Sequence, residues 1–118
     1  MTQEEILEKN VLIAEFMGYY VKYNADTSSG SKELPYYSYN KDGETTDSVY
    51  YHLSWDWLMP VLERIEAIGY KWEIGMSIIS PQHYCRIWSI GTINGISALD
   101  ATYGAVITFI KWYNQNKK

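Results

Sequence analysis

The chain has 118 residues, of which 47 % are hydrophobic and 20 % charged, and its formal net charge is −4. That length suits one domain, and the apolar fraction supplies a core without disulfides or metal, which excludes a disordered chain. Residues 1–60 carry ten acids against four bases, which excludes a clustered cationic groove for a nucleic-acid backbone there.

Thr2-Gln3-Glu4-Glu5 has capping-box spacing, with a Thr2 hydroxyl placed to accept from the amide of Glu5. Ile6, Ile13, Ala14 and Met17 recur at helical spacing and Gly18 offers a left-handed stop, so a first helix is expected over about 3–17. Asn10 falls on the same stripe, where it must be buried imperfectly or given a partner. Tyr19 to Tyr23 reads as a short strand. A polar loop is expected at about 24–33, then an extended aromatic segment, "LPYYSYN", held straight by Pro35. A second polar loop is expected at about 41–48, with Asp42-Gly43 as its turn signal.

Ser54 is placed to cap a second helix, with Asp56 in the first turn where a carboxylate favours the helix dipole. Leu58, Val61, Leu62, Ile65 and Ile68 form one apolar stripe that Gly69 ends, while Pro60 predicts a distorted or 3₁₀ start. "YKWEIGMSII" alternates as a strand, Ser80-Pro81-Gln82 turns the chain, and "HYCRIWSI" returns as a second strand that Gly91 breaks. The Asn94-Gly95 pair predicts a tight hairpin and a short third strand. Ser97 then caps a last helix running to about Asn114, whose apolar residues on several sides predict cover from more than one direction. The expected architecture is a single α+β domain over 1–118, with three helices packed on a small antiparallel sheet of two to four strands.

Catalytic signals are weak. His83 and Cys85 lie two apart on one strand face, but two ligands do not make a metal site, and the commoner reading of Cys85 is a small buried hydrophobe. Cys85, His52 and Asp56 can be drawn as a nucleophile, base and orienting acid, yet nothing in the sequence brings them together. There is no phosphate-binding glycine loop and no nucleophile elbow. No metal or cofactor is expected, and the longest apolar run is too short for a membrane span. With a lone Cys85 and no secretory signal before the first helix, the expectation is a soluble cytoplasmic protein.

The aromatic inventory is the stronger signal: twelve Tyr and five Trp against two Phe, rings that suit places dry at one end and wet at the other. Tyr36, Tyr37 and Tyr39 precede the second polar loop, and Trp55 and Trp57 follow it closely. Trp57 sits about 100° around the helix from Leu58, so the two tryptophans cannot both be central core residues. One reading makes these rings a minicore that holds down a long loop. The other makes Tyr36, Tyr37, Tyr39, Trp55 and Trp57 a binding patch for a host protein or a small planar metabolite, with Arg86 neutralising an anionic ligand. Two further readings remain: a small hydrolase or transferase using His52, His83 or Cys85, and a homodimer joined through the aromatic patch.

"LIAEFMGY" (12–19), "SWDWLMPVLERIE" (54–66) and "AVITFIKWYNQN" (105–116) resemble small uncharacterised proteins of gut Bacteroidetes and their phages and prophages. The "FMGY" helix end followed by Leu34-Pro35-Tyr36-Tyr37-Ser38 is similar to the phage ABA-sandwich domain family. The resemblance implies a layered helix–sheet–helix domain and a mobile-element setting, in which an accessory, anti-defence role is the expectation. It brings no catalytic residues.

Overall fold

A computed structural model describes residues 2–24, 36–46, 48–77 and 82–116; the side chains of Asn24 and Tyr36 lie outside that description. Most of the polar loop expected at 24–33 and the Ser80-Pro81 turn fall outside it as well. In chain order the elements are α1 (Gln3–Phe16), β1 (Tyr20–Asn24), β2 (Tyr36–Lys41), β3 (Glu44–Thr46), α2 (Trp55–Ala67), β4 (Trp72–Met76), β5 (His83–Ile87), β6 (Gly91–Gly95) and α3 (Ala98–Asn116). The class is α+β, but the strands form two antiparallel sheets of three, in the orders β1-β2-β3 and β4-β5-β6, rather than one.

The helix ends follow the residue chemistry. Thr2 accepts from the amide of Glu5 at 3.2 Å, and its own hydroxyl donates to the Glu5 carboxylate. Gly18, at φ 94°, ends α1 with the Tyr19 amide bonded back to the Ala14 carbonyl. Ser54 caps α2 by accepting from Asp56, and the Ser54 carbonyl takes both the Trp57 and Leu58 amides, a tightened first turn. Pro60 stays inside α2 because the helix gains more than it loses. Leu58, Val61, Leu62 and Ile65 are each fully buried, worth ~1.5–3 kcal/mol apiece, against ~3 kcal/mol for a proline in a helix. Ile68 departs from the expected stripe: it is the helix's C-cap and 38 % exposed.

The second polar loop, expected at about 41–48, contains a hairpin that joins β2 to β3. Asp42 and Gly43 both take positive φ (55° and 84°), the two-residue turn that matches strand twist, and Lys41 pairs with Glu44 across it. The Asn94-Gly95 expectation is overturned. Those residues lie inside β6, and the chain reverses earlier, over Trp88-Ser89-Ile90, with Gly91 at φ 89° completing the reversal. Gly95 is needed for a different reason. A Cβ there would sit 2.6 Å from the Ala101 nitrogen and 2.7 Å from Asp100 Oδ2, so its lack of a side chain lets α3 start against the strand. Ser97 caps α3 by accepting from Asp100, whose carboxylate accepts in turn from the Ile96 amide.

α3 is the centre of the core. Ala101, Thr102, Tyr103, Ala105, Val106, Ile107, Phe109 and Ile110 are all buried, a distribution around the helix that fits cover from more than one side. It packs on β4, β5 and β6 along one side and on α1 and α2 along others. Cys85, Ile87, Ile74 and Trp72 belong to the core on the sheet's inner face, while Arg86, Thr92 and Asn94 are exposed on its outer face.

Two glycines separate rigid from yielding contacts. Gly95→Ala meets backbone and should lower unfolding free energy by about 1–3 kcal/mol. Gly75→Ala meets only the mobile tip of Tyr84, 2.7 Å from the added carbon, and should cost about 1 kcal/mol or less, since one exchangeable hydrogen bond to Glu73 is at stake. Urea denaturation of both variants measures the difference; equal losses would contradict the close approach of α3 to β6.

Candidate functional site

The aromatic segment and the start of α2 meet where β2, β3, the end of α1 and residues 48–53 come together. Tyr39 is 1 % exposed and Tyr51 2 %, so both belong to the core. Tyr39 packs edge-on against Tyr19 at 6.4 Å and beside Tyr37 at 6.5 Å, and burial pushes its phenol up to about 12. Tyr39 is therefore not the exposed contact ring expected of it. Trp57 stands half-buried, with Tyr51 at 5.5 Å and Tyr50 at 5.8 Å, both edge-on, while Tyr50 itself is 45 % exposed. This is the minicore arrangement, in which rings interlock edge to face.

What remains open is a groove of about 490 Å³ between the β2–β3 hairpin and the first turn of α2. Its walls are Tyr19, Trp57, Lys41, Asp42, Glu44, Thr45 and Thr46. The Lys41 ammonium lies 5.3 Å from the centroid of the Tyr19 ring, a cation–π contact at the groove's edge. Of the expected site residues, Trp57 lines this groove. Tyr37 is half-buried next to Tyr23 (5.2 Å) and Tyr39, and Trp55 is 37 % exposed; neither lines it. The Tyr36 side chain lies outside the described residues.

Arg86 is placed elsewhere. It is exposed on the outer face of β5, donates from Nε to the Thr92 hydroxyl at 3.1 Å and stacks its guanidinium 5.5 Å from the Trp88 ring. It belongs to the second sheet and does not line the groove, where Lys41 supplies the cation instead. Tyr19 was expected only as the start of a strand and Lys41 only as the start of a polar loop, although the Asp42-Gly43 turn signal implied that Lys41 and Glu44 face each other across a hairpin.

The catalytic alternatives are dispersed. Cys85 is fully buried beneath α3 and its thiol is pushed up to about 11 by burial, the opposite of an activated nucleophile. His83 opens β5 on the same strand face, whereas His52 sits in the 48–53 segment against α1. Among the described residues no three His, Cys, Asp or Glu side chains converge as metal ligands would.

His52 belongs instead to a buried polar chain. Tyr103 donates to Asn10 Oδ1 at 2.9 Å, which turns the Asn10 amide nitrogen toward His52 Nδ1 at 3.0 Å. With the Asn10 amide in this orientation its nitrogen donates, and His52 accepts at Nδ1 as the tautomer protonated on Nε2. This is the partner that Asn10, 2 % exposed on an apolar stripe, required. Burial lowers the His52 pKa and raises that of Tyr103, which favours the neutral form of both.

The chain matches no protein-family model, and no curated protein or solved structure is similar to it. Its site is read from geometry alone.

The polar chain gives a signed pH dependence. The folded His52 pKa lies below its ordinary value of 6.5, so the folded state takes up the proton less readily than the unfolded one. Its stabilisation is complete above about pH 6.5 and is lost as pH falls through the lower folded value. Urea midpoints should drop between about pH 8 and about pH 5, and His52→Gln should flatten that drop. Asn10→Ala strands two polar groups and should cost about 1–3 kcal/mol at neutral pH; an Asn10→Ala protein as stable as the parent would contradict this assignment.

Proposed function

We propose that this protein works by binding, and that the groove beside the β2–β3 hairpin takes a small planar heterocycle such as the base of a nucleotide. The reading rests on one observation: the Trp57 ring, the Lys41 ammonium and a row of hydrogen-bonding side chains line the same open groove. A flat ring stacked on an indole gains about 1–3 kcal/mol without regard to its sequence or substituents. Asp42 and Glu44 accept from ring amino groups, the Thr45 hydroxyl donates while its oxygen accepts from Asn40, and Lys41 meets a phosphate or carboxylate attached to the ring; the Thr46 hydroxyl is already bonded to the Ser48 backbone. Two carboxylates beside one ammonium disfavour a highly charged anion. A mono- or cyclic nucleotide therefore fits better than a triphosphate.

The resemblance to proteins of Bacteroidetes and their phages gives this binding a setting: an accessory protein in the cytoplasm of a bacterial or phage-infected cell that sequesters a signalling nucleotide. A host protein as partner is the second form of this reading, and it is favoured by the exposed rings of Trp55 and Tyr50 beside the groove.

Calorimetric titration with nucleosides, mononucleotides and cyclic dinucleotides tests the assignment. Binding should weaken at least tenfold in Trp57→Leu, and Lys41→Glu should reduce affinity for nucleotides but not for the matching nucleosides. Both variants should be compared at matched thermal stability, because Trp57 also packs on Tyr51. Nucleotide affinity unchanged in Lys41→Glu would remove the groove from consideration.

A further inference from the structure

We infer that the edge of β6 is a self-association surface, through which a second copy of this chain extends the β4-β5-β6 sheet across a twofold axis. The inference is independent of the groove assigned above, which lies on the other sheet. β6 pairs with β5 on one side, and among the described residues no strand pairs with it on the other. The Trp88 amide bonds to the Lys71 carbonyl and the Ser77 amide to the Gln82 carbonyl, which sets the alternation of hydrogen bonds along β4 and β5. Tyr84 and Arg86 therefore turn their backbone groups to β4, and His83, Cys85 and Ile87 turn theirs to β6. The partners of those three, Gly95, Ile93 and Gly91, are occupied. Thr92 and Asn94 are left with their amides and carbonyls facing outward. The edge stops at Ile96, whose amide is taken by Asp100.

An antiparallel copy centred on Ile93 fits this edge. Thr92 then stands opposite Asn94 of the second copy and the reverse, four backbone hydrogen bonds in all, while glycine faces glycine at both ends. No residue of β6 is charged, so nothing on the strand opposes pairing, and neither a proline nor a lysine guards the edge. The two Ile93 side chains meet at the close, non-hydrogen-bonded position and point to the α3 side. There each copy offers an open groove of about 400 Å³ along α3, lined by Ile93, Gly104, Ile107 and Thr108, with Asp100 and Lys111 toward its ends and Lys9 of α1 on its far wall.

The same axis satisfies the helix layer. α3 packs on both β5 and β6, and we place its axis beneath the line midway between them. Adding β6 of a second copy at one strand spacing places the two α3 axes about twice that spacing apart, about 9.6 Å. Packed helices lie roughly 8–10 Å apart. Gly104 touches Ile93 and lies level with the dyad, and it presents no side chain to hinder the approach. Asp100 lies one turn before Gly104 and Lys111 two turns after, so antiparallel helices bring each Asp100 toward Lys111 of the other copy, within a lysine's reach.

Sedimentation velocity of the full chain over a wide concentration range tests this. A reversible species of twice the 13.8 kDa monomer mass is expected. Asn94→Pro removes an outward amide without touching the β5 ladder, a position where an edge strand tolerates proline. Thr108→Arg blocks the helix approach from an exposed site whose hydroxyl bonds only within the helix, to the Gly104 carbonyl. Each should weaken association at least tenfold, with far-ultraviolet circular dichroism and melting temperature unchanged. A parent chain monomeric at the highest concentration would overturn the inference and leave the edge to a strand from another polypeptide. A dimer persisting in both variants would also overturn it, because its interface would lie elsewhere.

Discussion

A helix buried on opposite sides keeps only a narrow flank for polar residues, and α3 is such a helix, with Asp100, Thr108 and Lys111 exposed along it. It packs on β4, β5 and β6, with Ala101 close to Gly95 and Gly104 close to Ile93, while Tyr103 turns to Asn10 of α1 and Phe109 meets Phe16 of α1 edge-on at 6.2 Å. Everything else is arranged around that double burial. Gly95 lets the helix begin against β6, and Ser97 with Asp100 satisfies the amides at its start. Tyr70, Trp112 and Tyr113 close over Phe109, which meets Tyr70 at 5.0 Å edge-on and Tyr113 at 5.8 Å nearly parallel. The contact with α1 is where a polar group had to be dealt with, and Asn10, His52 and Tyr103 deal with it jointly.

That buried chain explains why the 48–53 segment is ordered although it carries no regular structure. Val49 and Tyr51 are buried, Leu53 and Tyr50 are exposed, and His52 between them accepts from α1. Removing His52 from water costs free energy that a single hydrogen bond only offsets. The return comes from the ring contacts that the segment then makes with Trp57 and Tyr103. Polar satisfaction thus positions the tyrosines, and the tyrosines fix the orientation of Trp57 at the groove.

Sequence patterns revealed the elements with a strict period and missed those defined by tertiary contact. α1, α2, α3 and the β4–β5 pair follow from apolar spacing and from caps at Thr2, Ser54 and Ser97. β3 was invisible because three polar residues, Glu44-Thr45-Thr46, carry no period at all; only the Asp42-Gly43 turn pointed to it. Asn94-Gly95 misled for the converse reason. A turn signature states that positive φ is tolerated, and here glycine was required for the nearness of Ala101 instead. At the site, the angle between Trp57 and Leu58 implied only that Trp55 and Trp57 could not both be central core residues, and Tyr39 was not distinguishable from Tyr37 as core. Alternation says which strand residues share a face, and Tyr37 and Tyr39 share one; only the position of α1 and Tyr51 decides which is sealed. Arg86 was expected to serve the aromatic patch as one of few bases near a single sheet, whereas it stands on the second of two sheets.

The division into two sheets has a consequence for how the molecule can be used. Each sheet places a different resource at the surface. β1-β2-β3 shows side chains, with rings and a lysine at the mouth of a groove, and the recognition proposed for it is chemical. β4-β5-β6 shows a main-chain edge, with a glycine-flanked strand and a small-residue helix flank beneath it, and recognition there is geometric. A main-chain edge accepts any strand of compatible register, so specificity must come from the layer below. Gly104, Asp100 and Lys111 provide it only to a partner that brings an antiparallel helix at the same depth. Among extended strands in general that condition is rarely met, and a second copy of this chain meets it by symmetry. A helix layer matched to its own twofold image turns an unprotected edge, ordinarily an aggregation hazard, into a closed contact.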